Sequence, residues 1–239
     1  MSEWLTIALL ALVAGLAMGV GGVLAMAERL IPRPLDVGVQ HTIIAFGGGI
    51  LLAAVAFVLV PEGMTNLSPL TTSLYFAAGG VAFTGVDIAL HRRGKGTPQL
   101  AAMLLDFVPE LIALGSLYSL NKAYALLFFA LITLQNIPEG FNAYCELRSV
   151  SKYSRQKILA LFGLLSLLGP LAALAGHLFL AESRGIIARL MVFAGGGILY
   201  LVFQDIAPQA RLKRHWTPAL GAVVGFLLGM ISKMIILPQ

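Results

Sequence analysis

Asp106-Phe107-Val108-Pro109-Glu110 and Gln135-Asn136-Ile137-Pro138-Glu139-Gly140 decide how this chain is read. Each acidic motif sits inside an apolar run of about 20 residues, long enough to cross a bilayer as a helix. Ionisable side chains in hydrocarbon are costly and mark an ion or substrate pathway. Residues four apart share a helix face, so Asp106 projects with Glu110, and Gln135 with Glu139. Consecutive spans run antiparallel, and both Asp106 and Glu139 lie about 10 Å from the same side of the membrane at a rise of about 1.5 Å per residue. The two pairs therefore face one another at one level, forming a cage of oxygen ligands. One buried acid beside a proline reads equally well as a protonated, hydrogen-bonded carboxyl. Two at matched depth favour a cation site.

Each pair encloses a proline, Pro109 or Pro138. Proline cannot donate to the carbonyl four residues back and kinks a helix, which predicts unpaired carbonyls at Leu105 and Leu134. In hydrocarbon these need a partner, which a cation or an ordered water supplies.

Outward from these motifs the chain stays apolar. Hydrophobic residues fill 59% of its 239 positions and charged residues only 11%, far from the mix of a soluble domain. The fold class is all-α: a polytopic membrane protein with eight spanning helices at about 4–27, 41–62, 70–90, 99–119, 123–145, 157–180, 187–209 and 217–237. The connections are short, so residues 1–239 read as a single transmembrane transporter domain in the lipid bilayer. The first run is too long for a cleaved signal and follows no basic segment, so it is expected to stay as the first span. Cys145 is the only cysteine and implies neither a disulfide nor a zinc finger.

The basic residues set the orientation. Arg29, Arg33, Arg92, Arg93, Lys95, Arg148, Lys152, Arg155, Lys157, Arg211, Lys213 and Arg214 fall in the odd-numbered loops. Only Lys122, Arg184, Arg189 and Lys233 lie on the other side. Eight helices with both termini outside, hence periplasmic in a bacterial inner membrane, fit these charges. The pI near 9.6 then reflects topology. No basic tail or aromatic-interleaved patch suggests nucleic acid.

Further polar residues suggest a pathway. Glu62 stands at the outer end of the second helix, as an entrance group or a solvated helix end. Gln204, Asp205 and Gln209, around Pro208, stand at the inner end of the seventh and either line an exit or simply meet water. Asp87 is expected to pair with Arg92 or Arg93, and His177 to be a hydrogen-bonded core histidine. His41, His91 and His215 read as loop or helix-end residues. Gly221, Gly225 and Gly229, spaced by four, allow close helix approach, as do Gly15 and Gly19. The expectation is packing within one subunit, with a homodimer face as the alternative. The triplets Gly47-Gly48-Gly49 and Gly195-Gly196-Gly197 read as packing or hinge points.

At these motifs the chain resembles the ZIP (Zrt-, Irt-like protein) family of divalent metal transporters. Gln135-Asn136-Ile137-Pro138-Glu139-Gly140 matches the family's His-Asn-x-Pro-Glu-Gly pattern at all but the first position, and Asp106 to Glu110 shares its Pro-Glu core. Gly48 to Glu62 is similar to the family's second helix, and Ala194 to Pro208 to its seventh. The resemblance implies eight helices, termini outside, and a moving bundle that contains the fourth and fifth. It implies a metal position at Asp106, Glu110, Gln135 and Glu139. A second position would use Phe107, Asn136 and a carboxylate from the sixth helix. Phe107 cannot ligate, and Ser166-Leu167-Leu168-Gly169-Pro170 has no carboxylate.

The expected function is a non-enzymatic carrier that moves a divalent metal ion into the cytoplasm. Asp106, Glu110 and Glu139 provide charge, while Gln135 and Asn136 provide neutral oxygens. Zinc comes first on the resemblance, with manganese, iron or cadmium following because neither core motif holds a histidine and oxygen ligands suit harder ions. The metal is cargo, and no cofactor is expected. No Gly-x-x-x-x-Gly-Lys motif indicates ATP hydrolysis. The alternatives are an intramembrane aspartyl hydrolase using Asp87 and Asp106, or a metal-binding membrane subunit that does not transport.

Overall fold

The computed structural model describes residues 2–28, 35–92, 98–180, 182–212 and 216–237. Their regular structure is helical throughout. The long helices are α1 (Glu3–Glu28), α2 (Val37–Met64), α3 (Pro69–Arg92), α4 (Pro98–Leu120), α5 (Lys122–Val150), α6 (Arg155–Leu180), α7 (Arg184–Ala210) and α8 (Thr217–Ile236). Over the described residues, seven of these are long and apolar enough to cross a membrane; α3 is the eighth helix, and side chains near its end lie outside the described residues. The chain is an integral membrane protein. Arg29, Arg33, Arg93, Lys95, Lys213, Arg214 and His215, all used in the charge count or the loop assignment, lie outside the described residues.

Local chemistry sets the joints. Only Asn121 separates α4 from α5, and its side chain accepts the amide of Tyr124 at 3.2 Å. Ser154 does the same for α6 through Lys157 at 3.3 Å, each satisfying an amide that helix geometry leaves unpaired. At the start of α4 the acceptor comes from another helix: Glu146 Oε2 of α5 takes the Gln99 amide at 3.0 Å. A carboxylate at a helix N-terminus also meets the positive end of its dipole.

Proline shapes α2 and α7 rather than the two motif helices. Each contains a π-helical turn, Val55–Leu59 and Val202–Ile206, just ahead of Pro61 and Pro208. The Val60 amide bonds the Val55 carbonyl, and the Ala207 amide bonds that of Val202. This wider turn absorbs a ring that would otherwise collide with the carbonyl four residues back. In α4 and α5 the helix runs through Pro109 and Pro138 without such a turn.

The helices associate through glycines that bring backbones together, as expected where lipid removes the hydrophobic drive between helices. A Cβ at Gly21 of α1 would collide with the Ile137 carbonyl of α5, and one at Gly140 of α5 with the Met18 carbonyl of α1. The same reciprocal fit joins α4 to α6 (Gly115 with Ala173, Gly176 with Ile112), α2 to α8 (Gly49 with Ala222, Gly225 with Phe46) and α3 to α7 (Gly79 with Phe193, Gly196 with Phe76). Gly15 of α1 lies against Ser166 of α6, and Gly48 of α2 against Ile206 of α7. Two groups result, α1-α4-α5-α6 and α2-α3-α7-α8, and Gly47 of α2 touches Pro138 of α5 between them. The α8 glycines are thus covered within the chain by Thr42, Phe46 and Ala53 of α2. Both triplets are packing points.

Candidate metal site between two helices

The fourth and fifth helices bring their motifs together. Gln135 Nε2 donates to both carboxylate oxygens of Glu110, at 2.9 and 2.8 Å, so one member of each pair meets one of the other. At the other end Asp106 lies in the electrostatic field of Glu139 as well as that of Glu110. This is the antiparallel register expected from matched depth. All five candidate residues, Asp106, Glu110, Gln135, Asn136 and Glu139, are buried, and Glu110 and Gln135 fully so.

Their hydrogen bonding is one-sided. Asn136 Nδ2 is committed to the Ala14 carbonyl of α1 at 2.8 Å, and Gln135 Nε2 to Glu110. Left over are Asp106 Oδ1, Gln135 Oε1, Asn136 Oδ1 and both oxygens of Glu139, all buried without a hydrogen-bond partner. Every one is an acceptor. A buried unpartnered polar atom costs about 1–3 kcal/mol, so such a concentration calls for something that offers positive charge or protons. The residues do not form a finished cage, however. Among the described residues no three His, Cys, Asp or Glu side chains gather closely enough to hold a metal ion unaided, and the Gln135 amide hydrogens stand against Glu110.

Phe107 is fully buried, and its ring edge would lie 3.2 Å from a Cβ at Gly169 of α6.

The pathway candidates separate. Glu62 is half-buried in the last turn of α2, and Gly63 beside it packs on Ala188 and Val192 of α7. Gln204 is exposed and Asp205 half-buried. Gln209 is drawn toward the site: its Oε1 accepts from Asn142 Nδ2 at 2.9 Å, and its Nε2 donates to Gln99 Oε1 at 3.3 Å. Gln99, Asn142 and Glu146 were not singled out from sequence. The signal was available, because Asn142 and Glu146 share a face of α5 with Glu139, at spacings of three and seven.

The Asp87 carboxylate Oδ2 accepts the Tyr200 hydroxyl of α7 at 2.8 Å; the side chains of Arg92 and Arg93, its expected partners, lie outside what the structure describes. Asp106 stands beside Glu139 and Glu110, while the Asp87 carboxylate is bonded to Tyr200. His177 is hydrogen-bonded as expected, Nδ1 to Ser119 Oγ at 2.6 Å, but it is half-buried rather than in the core. His41 lies within α2, not in a loop, and its Nδ1 is buried without a partner. The side chain of His91 is not among those described.

No family model matches the chain. A curated relative does: the chain is 31% identical to a protein named zinc transporter GufA from Myxococcus xanthus, over an alignment that covers 93% of this chain and 96% of the relative. GufA is a ZIP family member. The chain belongs to the ZIP family. The likeness spans most of the chain rather than the two motifs alone. Within this ZIP protein the motif glycine, Gly140, has a plain structural reason, since it lets α1 lie directly against the helix that carries Glu139.

Proposed function

We propose that this ZIP protein is a carrier that moves a divalent metal cation, zinc first and then manganese, iron or cadmium, into the cytoplasm. Asp106, Glu110, Gln135, Asn136 and Glu139 form its site. The observation that carries this reading is the set of buried oxygens on α4 and α5 that have lone pairs to offer and no donor to receive them. A cation would take Glu139 and Asp106 directly, and would take Glu110 as the Gln135 amide turns to present its oxygen. The name of the relative supports zinc, while a donor set without imidazole or thiolate leaves room for harder ions. The protein acts as one transmembrane transporter domain of eight helices, not as an enzyme. The α1-α4-α5-α6 group moves against the rest as an elevator. Glu62 leads in and Asp205 and Gln209 lead out. It works in a bacterial inner membrane with both termini periplasmic, on the strength of the basic loops.

Purified protein in liposomes is expected to take up radioactive zinc in a saturable manner, with unlabelled zinc, cadmium, manganese and iron competing in order of preference. Uptake equal to that of empty liposomes for every metal would overturn the carrier reading. For orientation, a reactive tag at residue 95 is expected to label only from the cytoplasmic side of intact cells. Labelling from outside inverts the topology.

A further inference from the structure

On α5, one turn beyond Glu139 and on the same face, stands Asn142. Its amide donates to Gln209 of α7 at 2.9 Å, and Gln209 in turn donates to Gln99 of α4 at 3.3 Å. Gln99 is itself held in place, buried and with its backbone amide on Glu146. Three neutral amides from three helices are thereby tied into one chain, and the tie joins the α1-α4-α5-α6 group to the α2-α3-α7-α8 group. Between this chain and the candidate site lies a cavity of only ≈ 10 Å³, lined by Gln99, Pro138, Glu139, Asn142, Ile44 and Ile206. That is about the room for one water molecule. Glu139, on the cavity wall, keeps both oxygens buried and unpartnered.

We propose that Gln99, Asn142 and Gln209 form the gate through which the cation leaves the site, latched shut in this structure by their mutual hydrogen bonds. The proposal rests on reading the protein as a carrier. Amides suit the task for a physical reason. They bond one another well enough to close the passage, and each also offers a carbonyl oxygen to a passing divalent ion. Lacking charge, they do not trap the ion as another carboxylate would. Opening requires α7 to part from α4 and α5, so the latch couples release to movement between the two helix groups.

The test uses the full chain with Cys145→Ser to remove the native thiol and Ile44→Cys as a reporter on the cavity wall. A membrane-impermeant thiol reagent is applied in detergent. Adding Gln209→Leu, which removes both bonds of the latch, is expected to speed labelling about tenfold, the order expected from two neutral hydrogen bonds. Phe203→Leu, on the exposed side of the same helix, is expected to leave the rate unchanged. In proteoliposomes, joining Asn142→Cys to Gln209→Cys with a short reversible bifunctional reagent is expected to stop zinc uptake, and reduction to restore it. Equal labelling with and without Gln209→Leu, or uptake that persists in the bridged protein, overturns the gate. Absence of uptake by the wild type instead overturns the carrier reading, and it appears before any latch variant is made.

Discussion

Glu139→Gln is expected to lower metal uptake by about 100-fold or more, with zinc binding in detergent falling in parallel. The substitution keeps size and shape and removes only the charge. Both oxygens of Glu139 are buried with no donor, and Glu139 lies in the field of Glu110. Burial of this kind is unfavourable for the empty protein and becomes favourable only when a cation arrives. The glutamine variant removes that incentive, since its amide supplies a donor pair to the surrounding acceptors and competes for the place of the metal. Loss of outer residues around metal sites costs about 10–100-fold, so loss of a charged direct ligand should reach the top of that range. Asp106→Asn is expected to act in the same direction, because Asp106 Oδ1 is likewise unpartnered. The apo protein should melt at or above the wild-type temperature in both variants, as an unfavourable buried acid has been replaced. Uptake that persists at wild-type rate in both would remove these residues from the site, even if the protein proves to be a carrier.

Gly140→Val is expected to have the largest effect on stability. A Cβ at this position would fall on the carbonyl of Met18, and the opposing backbone has no rotamer with which to yield. The helices must separate, which also loosens Gly21 against Ile137 and the Asn136 bond to Ala14. Overpacking of a tight interior costs typically about 1–3 kcal/mol, and contact against backbone puts this case at the upper end. A fall in melting temperature of roughly 10 °C follows at this chain length. Gly19→Ala on the facing helix α1 is the internal comparison, since nothing lies within 4 Å of its Cβ, and it should melt as the wild type does. A Gly140→Val protein with unchanged melting would mean that α1 and α5 do not pack through these glycines.

Much of the fold could be read locally. Runs of about 20 apolar residues commit a chain to spanning helices because a helix satisfies its backbone hydrogen bonds within one segment; over the described residues seven helices meet that test, and α3 is helical as well. The pairing of Glu110 with Gln135 was also legible, since spacing of four and matched depth are properties of sequence alone.

Other features needed the assembled molecule. Prolines announced themselves, yet the widened turns appear at Pro61 and Pro208 and not at Pro109 and Pro138. A proline shows that a carbonyl must be avoided but not which adjustment the neighbouring helices allow. The same holds for Asp87, whose arginines in sequence stand five and six residues on, and whose carboxylate takes the Tyr200 hydroxyl of another helix.

The sequence by itself determined that this protein is a membrane bundle of the ZIP family and which two helices carry the buried acids, because hydropathy, helical period and motif spacing act within single segments. Only the tertiary structure decided what those acids lack, which glycines are filled by which backbone, and that Gln99, Asn142 and Gln209 meet below Glu139. Hydrogen-bond satisfaction and steric fit are properties of pairs of helices. No single segment contains them.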